Sequence, residues 1–600
     1  MSQAIQANTV VNKDVLIIGA GGAGLRTAVQ ILSRRPETSI AAVTKVSSPQ
    51  KSHTTTAQGG VAAVDPGDRL DRPVYHMFDT WKGSDCSADQ NVIKTIVDSA
   101  WEQILWLDAH GLHFTRNEEG RFSKRTFGGH TLDFGGPSAY RAIFEADRTG
   151  KGIMDTVWAE SLKRQVRFFN QSLATELLFK DGRCVGAVLF EAPRGSFTVV
   201  LAKATLISSG GLGQVFKITT NCRQNTGDGL ALVQREGLPV MDLEAVQFHP
   251  TGIVGPGILA SEALRGEGGI LLNKNHEPFM EKYAPKMKDL APRDLVARSI
   301  ETEIREGRGV VNPDLNLPHV WLDIRHLSEY VHSVKLPEIT SFFSKFIGID
   351  PRKDLCPVRP TVHYQMGGIP VNVFGEVQKD SEEIVAGLFA VGESACASFH
   401  GFNRLATNSL LELFTMGKVV GDRIADYLHK APEPGDKPRQ GAEKTSALFS
   451  GYLEARGSDN LWTIREALRT VMTEKCGVFR NARQMSEAIE DIKDLRVRAG
   501  SIQLSSQSLV MNQELIDRFE LDNLLTEAMS IAVGALARQE SRGAHSREDY
   551  PERSDNFQYH TLAYRQEDGG VRLGKRDIDM SLYRQEDEHA DHFGLLERKY

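Results

Sequence analysis

No two of the six cysteines (Cys86, Cys184, Cys222, Cys356, Cys396 and Cys476) form a CxxC pair in this 600-residue chain. The scatter removes the ligand spacing of a zinc site or an iron-sulfur cluster, so no metal site is expected and the thiols are expected to be reduced and structural. No apolar run approaches the roughly 20 residues that cross a bilayer. The N-terminus carries neither a signal-peptide core nor an Arg-rich transit stretch. Any membrane association is therefore expected to come from other subunits. A basic stripe is missing too: the net charge is -7 and Lys and Arg are dispersed, which excludes nucleic acid as a natural partner. There is no tandem repeat.

What is present begins with Asp14-Val15-Leu16-Ile17-Ile18, a short apolar run ending in glycines, as expected of a buried parallel strand that feeds a helix. Gly19-Ala20-Gly21-Gly22-Ala23-Gly24 fits GxGxxG between that strand and a helix over Leu25 to Leu32. Glycines there allow a tight turn and bring pyrophosphate close to backbone amides at the positive end of the helix. Ile40 to Val43 completes a βαβ unit. An NAD-binding fold would carry an acidic residue at the end of that strand to hold the ribose. Thr44-Lys45 stands there instead, which favours FAD.

Two later runs, 204–207 leading into Ser208-Ser209-Gly210-Gly211 and 387–391 leading into Gly392-Glu393, are expected to join the same sheet and make the domain discontinuous. A Gly-, Arg- and Pro-rich segment between them suits an inserted cap with catalytic loops. Residues 430–438 form a polar, Pro-rich linker. Beyond it Leu461, Ile464, Leu468 and Val471 recur at helical spacing. The expected division is 1–246 and 363–430 for a cofactor domain, 247–362 for the cap, 440–545 for a helical domain and 546–600 for a polar, weakly periodic extension.

Lys51-Ser52-His53-Thr54-Thr55-Thr56-Ala57-Gln58-Gly59-Gly60 resembles the segment in which succinate dehydrogenase and fumarate reductase flavoproteins bind FAD covalently through histidine. The resemblance continues through nine further ordered segments. They are 79–85, 225–229, 247–252 (Gln-Phe-His-Pro-Thr-Gly), 265–269, 292–294 (Pro-Arg-Asp), 363–368, 400–404, 408–411 and 540–545. It implies an α/β fold: an FAD-binding Rossmann-like domain with an inserted α+β capping domain, then a C-terminal helical domain. It also implies FAD attached covalently to His53, with contacts from the Gly19 loop, Thr44, Lys45, Ser52, Thr54, Gln58, Gly59, Gly60, Asp228, Glu393, Ser409 and Leu410.

The substrate so implied is succinate or fumarate, a small dicarboxylate that needs cations or donors at both ends of a short cavity. His249, Ser261, His363 and Arg404 match the family's carboxylate-binding set. Arg293 matches its proton acceptor and donor, and Glu262 and Arg265 its proton path. An arginine is an odd base because its pKa exceeds roughly 12. The carbon acid is also extremely weak, however, and guanidinium stabilises developing negative charge.

Electrons must then leave the flavin for an iron-sulfur protein subunit, and the resemblance implies membrane anchor subunits and quinone beyond it. The expected location is the cytoplasmic side of a prokaryotic inner membrane, as a peripheral subunit. Two departures stand out: Ser261 replaces the usual threonine and is followed by Ala263-Leu264, and Ala406-Thr407 replaces the usual Gly-Gly. The Ala-Thr pair resembles L-aspartate oxidase, the main alternative, but that enzyme lacks the histidine found here as His53. A catalytically silent flavoprotein is the second alternative, against which stands the presence of every reacting position.

Overall fold

The computed structural model of the protein describes residues 7–312, 317–435, 442–583 and 587–597. The four expected strands lie in one eight-stranded sheet, ordered Glu376–Gln378, Ile384–Ala390, Ser196–Ile207, Ala7–Ile18, Ile40–Thr44 and Arg167–Asn170. The hairpin Ser172–Lys180 and Arg183–Glu191 branches from the Ser196–Ile207 strand. Val15 pairs in parallel with Ile40 on one side and Ala204 on the other, and Leu388 pairs with Thr205. Val15, Leu16 and Ile17 are fully buried, which is why this strand reads as an unbroken apolar run rather than an alternating one. The helix that follows, Gly22–Arg34, starts inside the glycine motif and runs two residues beyond the expected end.

The inserted segment builds a second sheet, ordered Val246–Ile253, Cys356–Gln365, Leu317–Asp323 and Ile270–Leu272, with Val310–Asn312 on the Leu317–Asp323 strand. It has its own apolar core, including Leu264, Leu271, Val296, Ile300, Leu322 and Phe343. Phe127, Ala142 and Ala406 join that core from outside the insert and mark where the cap rests on the larger domain. The helix Arg293–Glu303 begins directly after Pro292, whose fixed φ suits a helix start. Arg293 is thereby held at the seam.

Four helices follow, Glu443–Glu454, Leu461–Lys475, Ala482–Ala499 and Gln513–Ala537. Asn460, Asn481 and Asn512 cap the last three, their side chains accepting from Trp462 N and Thr463 N, from Gln484 N and from Leu515 N. Each cap contributes about 1 kcal/mol. Leu461, Ile464 and Leu468 are buried as their spacing implied, and Val471 is half-buried. Residues 436–438 of the expected linker lie outside the described residues.

The last sixty residues, polar and weakly periodic in sequence, contain regular structure. Tyr559–Arg565 and Val571–Asp577 form a hairpin whose first strand pairs with Val240–Met241. It is pinned by the buried His560, whose Nδ1 faces Asp242 Oδ2 at 2.6 Å and whose Nε2 faces Asp89 Oδ1 at 3.2 Å. Among the described residues no helix is long and apolar enough to cross a membrane, and all six cysteines are free.

Candidate active site

A cavity of about 530 Å³ runs from the glycine loop to the cap. Gly19, Ala20, Gly21, Gly22 and Ala23 form one wall at the N-terminus of the Gly22–Arg34 helix. Gly19 has φ +110, and a Cβ there would collide with the Ser208 carbonyl oxygen, so only glycine fits this turn. Gly24 lies beneath the loop, where a Cβ would strike the Gly19 carbonyl. The 52–60 segment forms the facing wall, and Thr54 Oγ1 accepts a 3.1 Å hydrogen bond from Gly22 N, tying the two together. His53, in a short 3-10 turn, is half-exposed to the cavity, with Nδ1 3.1 Å from Thr56 Oγ1; loss of hydration lowers its pKa to about 4, so the imidazole is neutral.

Thr44, Glu393, Ser409 and Leu410 reach the same cavity. Burial raises Glu393 to about 7, against the hydrogen bond it accepts from Gln365 N at 3.0 Å. Lys45 and Asp228 also line it, but they are bonded to each other: Lys45 Nζ lies 2.6 Å from Asp228 Oδ2 and 2.7 Å from Glu520 Oε1. This ion cluster fills the place of the missing acidic residue and clips the helical domain to the cofactor domain. A glycine cradle at a helix N-terminus, continued by small and hydroxyl residues, fits a dinucleotide such as FAD.

At the cap end Arg293, Arg404, His363 and Ser261 converge on the cavity. Arg293 Nε donates to Glu262 Oε2 at 2.8 Å and Nη1 to Gln247 Oε1 at 3.2 Å. Arg265 stands behind, its Nη2 3.8 Å from Glu262 Oε2, with Nη1 donating to the Asp289 carbonyl. Burial opposes the Glu262 charge, but Arg293 and Arg265 overcome it and hold the carboxyl below its ordinary value. Arg404 stacks over the Tyr364 ring at 4.6 Å. Burial first, then the Arg293 charge, brings Arg404 down to about 9.

His249 does not reach the cavity wall. Its ring packs edge-on against His363, with centroids 5.1 Å apart. Both imidazoles are held well below their ordinary pKa by burial and then by Arg293, and are neutral. His249 Nδ1 accepts from Thr251 N at 3.2 Å, so its proton is on Nε2. That Nε2, like Arg404 Nε, is buried with no hydrogen-bond partner among the described residues. Unpaired buried donors beside two guanidiniums make an anion site, because each such donor carries a desolvation cost of about 1–3 kcal/mol that an acceptor removes.

Several supporting residues escaped the sequence reading. Gln247 Nε2 donates to the Arg404 carbonyl at 2.7 Å and to Asn403 Oδ1 at 3.1 Å while its Oε1 holds Arg293, so one amide links both arginines. It lies inside the Gln-Phe-His-Pro-Thr-Gly segment but had been given no role. Gly128 N donates to Glu262 Oε1 at 2.7 Å. His130 Nε2 donates to the Ala406 carbonyl at 2.9 Å, and burial drops its pKa to about 3. Tyr364 OH donates to Glu412 Oε2 at 3.1 Å, which fixes the ring under Arg404. No residue-type pattern marks these, since they act through the fold.

A dinucleotide cradle opening onto a capped, cationic, carboxylate-binding end defines an FAD-dependent oxidoreductase of the Rossmann-like class. Residues 14–410 match the FAD binding domain family, and residues 465–600 match the fumarate reductase flavoprotein C-terminal family. The succinate dehydrogenase flavoprotein subunit of Rickettsia bellii is 41% identical over 575 residues, covering 95% of both chains. That of Coxiella burnetii is 40% identical, covering 92% of this chain and 94% of its own. Among solved structures, an E. coli quinol fumarate reductase flavoprotein superposes with TM-score 0.89 at 34% identity, covering 97% of this chain and 99% of its own. The chain belongs to the succinate dehydrogenase and fumarate reductase flavoprotein subunit family.

Proposed function

We propose that this protein is the flavoprotein subunit of a succinate:quinone oxidoreductase, interconverting succinate and fumarate with FAD attached covalently to His53. The observation that carries the reading is the pairing of Arg293 and Arg404 in one cavity with His363, against which His249 packs with its Nε2 unpartnered among the described residues, next to a dinucleotide cradle. Bound FAD supplies the hydride acceptor for succinate oxidation and the donor for fumarate reduction. Arg404, His363, His249 and Ser261 bind the two carboxylates and hold the chain of carbons in one orientation, which accounts for much of the rate. Arg293 takes the proton from the neighbouring carbon, or supplies it in reverse. Its Nε–H bond to Glu262 and the approach of Arg265 behind Glu262 give that proton a route away from the site.

His53 faces the cavity as a neutral imidazole with a free ring edge, the state needed for attachment to flavin carbon. Gly19 to Gly24, Thr44, Lys45, Ser52, Thr54, Gln58, Gly59, Gly60, Asp228, Glu393, Ser409 and Leu410 hold the cofactor. The chain offers no cluster-ligand spacing, so electrons leave through an iron-sulfur subunit. Membrane anchor subunits and quinone lie beyond it, and the protein is peripheral on the cytoplasmic side of a prokaryotic inner membrane. The division at 246, 362, 430 and 545 is part of the same proposal.

Acid precipitation of the purified protein tests the attachment. Fluorescent flavin is expected to stay with the polypeptide and to map to the peptide containing His53; flavin that washes free of a fully loaded protein contradicts it. L-aspartate oxidase activity is the second reading, favoured only by Ala406-Thr407.

A further inference from the structure

The strand Lys124–Thr131 breaks its pairing register beside the site. Thr126 pairs with Tyr140 and Thr131 with Ser138, so residues 127–130 stand opposite Ala139 alone and form a long bulge. Bulges re-aim groups next to active sites. The far end of this one is fixed: Thr131 N donates to Asp79 Oδ2 at 2.7 Å, and the Thr131 carbonyl accepts from Arg141 Nη2 at 2.6 Å, with Arg141 buried and paired to Asp71 and Asp79.

Two contacts leave the bulge for the two arginines of the site. Gly128 N donates to Glu262 Oε1 at 2.7 Å, and Glu262 Oε2 in turn accepts from Arg293 Nε. A Cβ at 128 would stand 2.6 Å from the Leu290 carbonyl oxygen and 2.8 Å from Glu262 Oε1, so this approach needs glycine. Two residues on, His130 Nε2 donates at 2.9 Å to the Ala406 carbonyl, in the turn that carries Arg404. The Thr407 hydroxyl donates to the same carbonyl, and Thr407 is held at φ +63, so the turn is strained and depends on what restrains it. His130 is buried against the His76 ring, with centroids 5.5 Å apart, and His76 Nε2 lies 2.9 Å from Asn408 Oδ1 at the start of the next helix. Burial and then the Arg141 charge keep the His130 imidazole neutral, so it supplies a donor without adding a charge beside the guanidiniums.

We propose that this bulge sets the spacing of the two arginines, with His130 the positioning residue that places Arg404 for a carboxylate of the substrate. The inference rests on the dicarboxylate reading of the main site. One short stretch of backbone, 128–130, then ties the proton-handling side, through Glu262 and Arg293, to the carboxylate-binding side, through Ala406 and Arg404. The two ties are separable. Loss of the His130 donor frees the 404–407 turn, while Gly128 still holds Glu262 and Arg293 in place. Gln247 still holds the Arg404 carbonyl at 2.7 Å, so Arg404 shifts within the site rather than leaving it.

The test uses the flavin-loaded complex, with succinate turnover and with malonate, a dicarboxylate that lacks the carbon pair to be oxidised, titrated by flavin absorbance. His130→Leu keeps much of the ring's volume and removes the donor; His130→Gln keeps a side-chain N–H of similar reach. In the leucine variant flavin content is expected to stay unchanged, KM for succinate and Kd for malonate each to rise about tenfold, and kcat to fall less than about threefold. The glutamine variant is expected to recover both affinities to within about threefold of the unaltered complex. If the leucine variant folds poorly, His130→Asn, whose amide falls short of the carbonyl, gives the same loss of affinity. Unchanged KM and malonate Kd in the leucine and asparagine variants, whatever happens to kcat, overturn the proposal. A glutamine variant as impaired as the leucine variant also overturns it and assigns His130 to packing alone. If the unaltered complex neither binds malonate nor oxidises succinate, the reading of the main site fails first.

Discussion

Glu262 grips Arg293 from one side only: its Oε2 accepts from Arg293 Nε at 2.8 Å, while its Oε1 is held by Gly128 N at 2.7 Å. The carboxylate is thus fixed by backbone and in turn fixes the plane of the guanidinium. A lysine at 293 keeps the charge but loses the placement by Glu262 at Nε and Gln247 at Nη1, since it lacks the planar fork. Arg293→Lys is expected to retain FAD and to lower kcat by roughly 10²–10⁴. Near-normal turnover, measured on flavin-loaded protein, removes Arg293 from the proton step.

His53→Ser separates binding from attachment. The cradle at Gly19 and the Lys45 cluster remain, so FAD should bind but become extractable by acid. In this family attachment raises the flavin potential, and removing hydrogen from an unactivated carbon needs a strong oxidant. Succinate oxidation should therefore fall much further than fumarate reduction. Equal losses in the two directions contradict the potential argument.

His560 ties the C-terminal hairpin to the core between Asp242 and Asp89, beside Arg576 and Ser398. Burial works against its charge, but Asp242 and then Asp89 outweigh it and raise the pKa. A raised folded pKa gives stability that is complete below the unfolded value of about 6.5 and is lost as pH rises through the folded value. The melting-temperature gap between the unaltered protein and His560→Asn should accordingly be wide near about pH 6, worth roughly 3 kcal/mol, and narrow toward about pH 9. A gap that widens with pH reverses the assigned sign.

Thr407 sits at φ +63, a left-handed conformation that is costly for a β-branched side chain, just before the Asn408–Tyr427 helix. Its hydroxyl donates to the Ala406 carbonyl at 2.6 Å. A residue with no Cβ would meet no such cost, so Thr407 is a strained occupant of this turn. Thr407→Gly should be more stable than Thr407→Ala by about 1 kcal/mol in denaturant unfolding. The opposite order means the turn relaxes.

The cofactor half of the fold was legible because its signals are local: an apolar run, a glycine motif and a second run at crossover distance. The Tyr559–Arg565 hairpin was not, because its residues alternate polar types and its anchoring comes from Asp242 and Asp89, both more than three hundred residues away in sequence. The side chains proposed to react were singled out through motif resemblance. Gln247, Gly128 and His130 were missed because each works through a backbone or amide contact that only the assembled seam creates. Lys45 was expected at the cofactor, and the structure also gives it Asp228 and Glu520 as ion partners.

The most direct test of the central claim is anaerobic titration of the flavin-loaded complex, read as flavin absorbance. The account predicts that succinate bleaches the flavin, that fumarate restores it, and that L-aspartate does neither. Flavin that ignores succinate but is bleached by L-aspartate would contradict the account and assign the site to amino-acid oxidation.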